Sequence, residues 1–257
     1  MNSILKNKIN FSNEVIEGIP VLICSKESNN PKPLIIFSHG FTRKKEDWKG
    51  YMEELAEIGY YTVALDNRLH GEREDAGFDS IMSEKGIDFL EIFRTIKDNA
   101  EDITVLIDYF TAKTEIDKDR IGMVGVSMGG FTTFRAVVID KRIKVAIPII
   151  SSPAWEDIPR DLHADDNPDI IKGLRNLSEQ YGPSNFIDKF YPTALFMQAG
   201  SEDKHFNVEK LKLFHQNVKE FYKDDLSKLE LIIFEDIAHE FTDAMWNNAR
   251  AWLNKYL

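Results

Sequence analysis

Ser127 stands in the run RIGMVGVSMGG at 120–130, where Gly125-Val126-Ser127-Met128-Gly129 fits the pattern G-x-S-x-G. An apolar run precedes the serine, and Phe131, Phe134 and Val138 follow at helical spacing. The hydroxyl is therefore expected on a sharp strand-to-helix turn. Glycines two residues to either side remove the Cβ atoms that would crowd such a turn. A serine hydroxyl is a nucleophile at neutral pH only if a base takes its proton. The chain has six histidines, and chain order selects among them, because an acid and then a base follow this kind of nucleophile. His239 comes after the last apolar run, Leu231–Phe234, and before the final amphipathic stretch, so it is the expected base. Asp203 follows the penultimate run, Ala194–Ala199, and is the expected acid, with Glu202 as the alternative and Asp236 read as a turn residue. This set predicts acyl transfer: Ser127 attacks a carbonyl, His239 carries the proton, and Asp203 fixes the imidazole tautomer. The oxyanion needs two donors, and the backbone amides of Phe41 and Met128 occupy the expected positions after the first core strand and after the nucleophile. His39 is read as a support of that loop, and Gly40 as the point where backbone approaches the substrate closely.

The elements that must position these groups are written in the hydrophobic pattern. Short apolar runs at Leu34–Ser38, Tyr61–Asp66, Ile121–Gly125, Val145–Ile150, Ala194–Ala199 and Leu231–Phe234 fit strands buried on both faces, as in a parallel sheet. Amphipathic stretches at 46–58, 86–111, 128–140, 206–223 and 240–256 alternate with them as helices. Trp48, Tyr51, Met52, Leu55 and Ile58 make one apolar stripe. Val15–Ile16 and Ile19–Ser25, separated by Glu17–Gly18, predict an antiparallel N-terminal edge. The fold class is α/β: a mostly parallel sheet with helices on both faces, in a single domain over 1–257. Residues 67–85 are polar and carry no predicted strand. Residues 151–193 hold five prolines and Trp155 and are read as a small cap-like insertion with short helices around Ile170, Leu174 and Leu177. Its place beyond a strand's carboxyl end puts it over the usual crevice of an open α/β sheet. It is expected to roof that crevice and favour acyl chains of roughly two to four carbons.

Composition narrows the partners. The formal net charge of −11 opposes binding to nucleic acid and to anionic membranes. Arg43, Lys44, Lys45 and Lys49 are interrupted by Glu46 and Asp47 and read as a solvated face. No apolar run serves as a signal-peptide core or membrane span, and the single cysteine, Cys24, forms no intrachain disulfide. The expectation is a cytoplasmic protein acting on a small molecule, monomer or homodimer.

With FSHGF at 37–41, LDNRLHGER at 65–73, GVSMGG at 125–130, AGSEDKH at 199–205 and IAHEF at 237–241, the chain resembles the bacterial esterases of the dienelactone hydrolase and prolyl oligopeptidase-like branch of α/β-hydrolases. The resemblance implies the α/β-hydrolase fold and a small carboxylesterase that cleaves short acyl esters; with nucleophile and base both present, no cofactor or metal is expected. It also implies that Asp66, Arg68, His70 and Gly71 scaffold a loop beside the site, with Arg68 a candidate substrate contact. Dienelactone hydrolases carry cysteine where this chain has Ser127, and the propeller domain of prolyl oligopeptidases is missing. Phe41, Met128 and Trp155 are candidates for an apolar acyl pocket, Trp155 equally for the core of the insertion. His205 is a candidate pocket wall or a solvated helix start. A thioesterase, an amidase or a small-peptide peptidase would use the same catalytic residues, and a non-catalytic binding protein on this fold is the alternative of a different class. No His-x-His or His-Glu-x-x-His pattern points to a metal-dependent hydrolase.

Overall fold

The computed structural model describes residues 8–83, 86–155 and 168–257. At the amino end β1 (Ile9–Ile16) and β2 (Ile19–Lys26) form an antiparallel hairpin. Its two-residue turn holds Glu17 and Gly18 at φ 49° and 79°, the positive pair whose twist matches that of the flanking strands. Next come β3 (Lys32–Ser38), α1 (Lys49–Glu57), β4 (Tyr61–Leu65) and α2 (Ala76–Ile81), then a two-stranded ribbon of β5 (Met82–Ser83) and β6 (Gly86–Ile87). The chain continues through α3 (Phe89–Thr111), β7 (Ile116–Val126), α4 (Met128–Ile139), β8 (Ile143–Ile149), α5 (Pro168–Tyr181), β9 (Ala194–Gly200), α6 (Val208–Val218), β10 (Leu229–Phe234) and α7 (Asp243–Tyr256).

Eight strands make one sheet in the order β1-β2-β4-β3-β7-β8-β9-β10. Pairings from β4 through β10 are parallel, and β2 runs antiparallel to β4. This is the α/β-hydrolase architecture, with the mixed sheet that the sequence pattern predicts. Because strand side chains alternate, β3 divides its apolar run between the two faces. Leu34 and Ile36 join a core with Phe93, Phe131 and Phe134 of α3 and α4, while Ile35 and Phe37 join a core with Met52, Leu55, Trp246 and Leu253 of α1 and α7. An unbroken apolar run is what a strand covered on both faces requires.

Several boundaries differ from the sequence reading: α1, α6 and α7 start two or three residues later than expected, and β7 and β10 start earlier. Residues 67–85 contain a short helix and Met82–Ser83 of the ribbon, where no strand was expected. A two-residue strand needs only local backbone pairing and leaves no apolar run to read. The long helix starts at Phe89 rather than 86, because the Asp88 carboxylate caps it by accepting from the Leu90 and Glu91 amides. In the 151–193 segment the expected helix over Ile170–Leu177 is α5, and Gly173 lets it lie against Leu90 of α3: a Cβ at Gly173 would sit 2.7 Å from a Leu90 methyl. Residues 156–167 of that segment lie outside the described residues. Among the described residues no helix is long and apolar enough to cross a membrane.

Candidate active site

Ser127 sits between β7 and α4 at φ 53° and ψ −118°. An L-residue is strained there and stays only where its surroundings fix it. Here they do. The Ser127 N–H donates to Ile149 O at 2.9 Å, and its carbonyl accepts from Phe131 N at 3.0 Å. The glycines around it are sterically required. A Cβ on Gly125 would lie 2.0 Å from Gly129 O, one on Gly129 would lie 2.0 Å from Ser38 O, and one on Gly130 would lie 2.3 Å from Ser151 Oγ. The first of these contacts folds the elbow on itself, the second seats α4 against the end of β3, and the third brings it against the segment leaving β8.

The Ser127 hydroxyl donates to His239 Nε2 at 2.8 Å, and His239 Nδ1–H donates to Asp203 Oδ2 at 2.7 Å. The Asp203 side chain is fully buried, and its second oxygen accepts from the His205 amide at 2.9 Å. Two loops bring acid and base together. Ser201 N donates to Phe234 O, Glu202 N to Ile237 O and Asp236 N to Ser201 Oγ, which stitches the loop after β9 to the loop after β10. Gly200 makes that approach possible, since a Cβ there would meet Ile237 O at 2.1 Å. Glu202 and Asp236 are exposed, and neither side chain reaches His239. The serine, histidine and aspartate named from chain order are thus joined by two hydrogen bonds in the arrangement of a serine-hydrolase triad.

The loop after β3 is held by a buried network. His39 Nδ1–H donates to Gly40 O at 2.8 Å, and its Nε2 accepts from Asn67 N at 3.0 Å. Asn67 also donates to His39 O and accepts from Ser38 Oγ. Burial pushes the His39 pKa down to about 4, although the Gly40 carbonyl opposes the shift. The ring is therefore a neutral strut, as its position in FSHGF suggests. Gly40 lies beside the nucleophile, where a Cβ would stand 3.5 Å from Ser127 Cβ. Phe41 stacks on Phe78 at 5.6 Å between ring centroids and meets His70 edge-on. Met128 is buried at the start of α4. Among the described residues neither the Phe41 nor the Met128 amide donates to a loop or strand carbonyl.

The Asp66–Arg73 loop is a scaffold. Asp66 is fully buried and accepts from Lys45 N, Lys45 Nζ and Glu72 N at 2.8–3.0 Å, and these bonds outweigh burial and hold its carboxyl below the usual range. Gly71, at φ 57°, makes room for it, since a Cβ would fall 2.3 Å from the carboxylate. Lys45 therefore does not belong to a solvated face: its ammonium is buried between Asp66, Glu72 and Glu46. Interrupted charge in sequence hides a partner that arrives from residue 66. Arg68 turns from the site and forks onto Asp102 and Asp98 of α3, so its guanidinium is spent in tying the loop to that helix.

A cavity of about 460 Å³ opens at Ser127 and His239. Its walls are the loop His39–Phe41 with Arg43, the turn and first residues of α1 (Asp47, Trp48, Tyr51), Val126 and Ile150, and Glu240–Phe241 beyond the base. No described residue of the 151–193 segment lines it. Trp155 is placed elsewhere, stacked on Phe93 at 5.0 Å in the core on the other face of the sheet. Stacked on α3 its ring is 1% exposed, which buries more apolar surface than a half-open crevice allows. His205 does not line the cavity either. It is half exposed, with its ring over that of His239 at 4.0 Å between centroids and 31° between planes. Burial lowers its pKa, and the neighbouring His239 adds to the effect. Trp48 and Tyr51 were missed because they read as an ordinary helical stripe, and Phe241 because it reads as part of a final helix over 240–256, which starts only at Asp243; only the convergence of α1 with the loop before α7 makes them neighbours of Ser127. Asp203, His205 and His239 bring ligand atoms within 4.8 Å of one another, close enough to suggest a metal site. Both His239 nitrogens, however, are already engaged in the triad.

Residues 29–189, which include Ser127, match the family model Hydrolase_4, described as serine aminopeptidase, S33. The Bacillus subtilis strain 168 protein named "Putative esterase YitV" is 28% identical over 260 residues, covering 97% of this chain and all of its own. Other curated relatives are matched over about half of their own length. Among solved structures, TT1662 from Thermus thermophilus superposes with a TM-score of 0.76 at 18% identity, covering 96% of this chain and 98% of its own. The Pyrococcus furiosus esterase Pf2001 does so with a TM-score of 0.65 at 17% identity, over 98% of this chain and 94% of its own. At these identities the structural likeness speaks for the fold.

Proposed function

We propose that this chain, which belongs to the serine aminopeptidase S33 family of hydrolases, hydrolyses small carboxylic esters with short acyl groups through an acyl-enzyme intermediate. The observation that carries the reading is the unbroken relay from Ser127 Oγ through His239 to buried Asp203 at the mouth of a cavity. His239 Nε2 takes the serine proton as Oγ attacks the carbonyl carbon. The tetrahedral oxyanion is received by the amides of Phe41 and Met128, which donate to no loop or strand carbonyl among the described residues. His239 then gives the proton to the leaving alcohol, and water repeats the sequence on the acyl-enzyme. Asp203 keeps Nδ1 protonated, so that Nε2 faces the serine, and stabilises the imidazolium. Gly40 would border the bound carbonyl. Burial of Met128, the residue that follows Ser127, favours a short acyl group. Cys24 is a buried free thiol, with its pKa pushed up to about 11 by burial, in keeping with a cytoplasmic enzyme.

An amide bond is the second reading. Asp47 and Glu240 place carboxylates at the cavity wall, where an amino-terminal ammonium would find a partner. Fluorophosphonate labelling tests the core of the proposal. Wild-type protein should be labelled at Ser127, and Ser127→Ala should lose both labelling and ester turnover, down to the roughly 10³-fold over water that binding and the oxyanion site supply. Retention of most activity by the alanine variant would remove Ser127 as nucleophile. Acyl esters and aminoacyl amides assayed side by side separate the two readings.

A further inference from the structure

We propose that the cavity beside Ser127 receives the leaving alcohol of the ester and selects one that carries a flat aromatic ring. The inference rests on the ester reading above and names the substrate class for the same site.

Direction comes first. The leaving oxygen must take its proton from His239 Nε2, so the group it carries departs on the side of the base. The two residues that follow the base, Glu240 and Phe241, line the cavity together with His239 itself. On the α4 side of Ser127, Met128 is 3% exposed and does not line the cavity, so that side leaves the acyl substituent little room. The cavity is thus the continuation of the leaving group.

The wall gives the chemistry. Trp48, Tyr51 and Phe241 contact one another, with ring centroids 5.5–6.0 Å apart and planes tilted by 51–68°. All three face the cavity. Behind them Phe37 packs on Trp48 at 4.8 Å, and Trp246 packs edge-on against Tyr51 at 4.8 Å. Trp246 is held by its indole N–H, which donates to Glu54 at 2.8 Å. Val126 and Ile150 close the wall with aliphatic surface. Rings already set at tilted angles and locked from behind offer an incoming ring the edge-to-face contacts that aromatic groups prefer. A volume of about 460 Å³ is within the range of small-ligand sites.

The test uses two ester series on the purified protein. In the first the acyl group is acetyl and the alcohol is ethyl, cyclohexylmethyl or benzyl. In the second the alcohol is methyl and the acyl group is acetyl, cyclohexanecarbonyl or benzoyl. The expected result is a kcat/KM for benzyl acetate about tenfold above that for cyclohexylmethyl acetate, with no aromatic preference in the second series. Phe241→Leu and Tyr51→Leu keep apolar bulk and remove a ring, and each should bring the benzyl-to-cyclohexylmethyl ratio towards one. Trp155→Phe, in the core on the other sheet face, should keep the wild-type ratio. Equal rates for benzyl and cyclohexylmethyl acetate, or an aromatic preference confined to the acyl series, would overturn the inference while leaving ester hydrolysis standing. No turnover of either series, together with no fluorophosphonate labelling of Ser127, would overturn the ester reading on which it rests.

Discussion

The neutral strut under the Gly40–Phe41 loop should make a separable contribution to the acid sensitivity of this protein. His39 is 2% exposed and its Nε2 accepts from the Asn67 amide, so a proton there would set two donors against each other inside the core. Burial pushes its pKa from the ordinary 6.5 down to about 4. Between those values the unfolded chain binds the proton and the folded chain does not. The His39 contribution to stability therefore stands in full above pH 6.5 and is lost as pH falls towards 4. Integrating the difference gives a loss of about 2 kcal/mol by pH 5 and about 3 kcal/mol by pH 4, or roughly 6–12 °C in Tm for a chain of this size. Urea or thermal unfolding followed by tryptophan fluorescence, at steps from pH 7.5 to 4, measures it in wild type and in His39→Gln. The variant should be less stable at pH 7.5 by about 1–3 kcal/mol for the disturbed hydrogen bonds. Its disadvantage should close as pH falls, because it has no imidazole to protonate. His215, also lowered to about 4 by burial, and His70 and His205, both lowered by burial, are common to both proteins and cancel to first order, as do the low-lying carboxyls of Asp66 and Asp140. Stability curves that run parallel within about 1 kcal/mol over this range would refute the reasoning.

Two further outcomes follow from the same geometry. Asp203→Asn should cost about 10⁴ in turnover by releasing the imidazole to the wrong tautomer, whereas Glu202→Gln and Asp236→Asn, both exposed, should stay near wild type; steady-state kinetics of the three variants decides it. Gly129→Ala places a methyl 2.0 Å from Ser38 O and should lower stability by about 2 kcal/mol or more along with turnover, while Gly50→Ala, with open space around it on α1, should be neutral or gain up to about 1 kcal/mol in urea unfolding.

The amino-acid sequence by itself determined the sheet, the elbow and the triad. Strands buried on both faces must be continuously apolar, so β3, β4, the second half of β7, β8 and β9 announce themselves, whereas β10, expected to be buried likewise, is an edge strand only partly covered. A nucleophile on a strained turn needs glycine where Cβ would strike backbone, so Gly125 and Gly129 mark Ser127. Chain order then singles out Asp203 and His239, because each sits on the loop leaving a strand's carboxyl end. The rest depends on contacts between distant segments that leave no periodic trace. Lys45 reads as a surface charge until Asp66 and Glu72 close around it. Arg68 reads as a ligand contact until α3 presents Asp98 and Asp102. Trp155 and Trp48 are both tryptophans in apolar surroundings, and the sequence holds nothing that says which will face Ser127. That choice was made by packing: Trp155 went to the core shared by α3 and α4, and α1 met the loop before α7 to leave Trp48, Tyr51 and Phe241 around the open space.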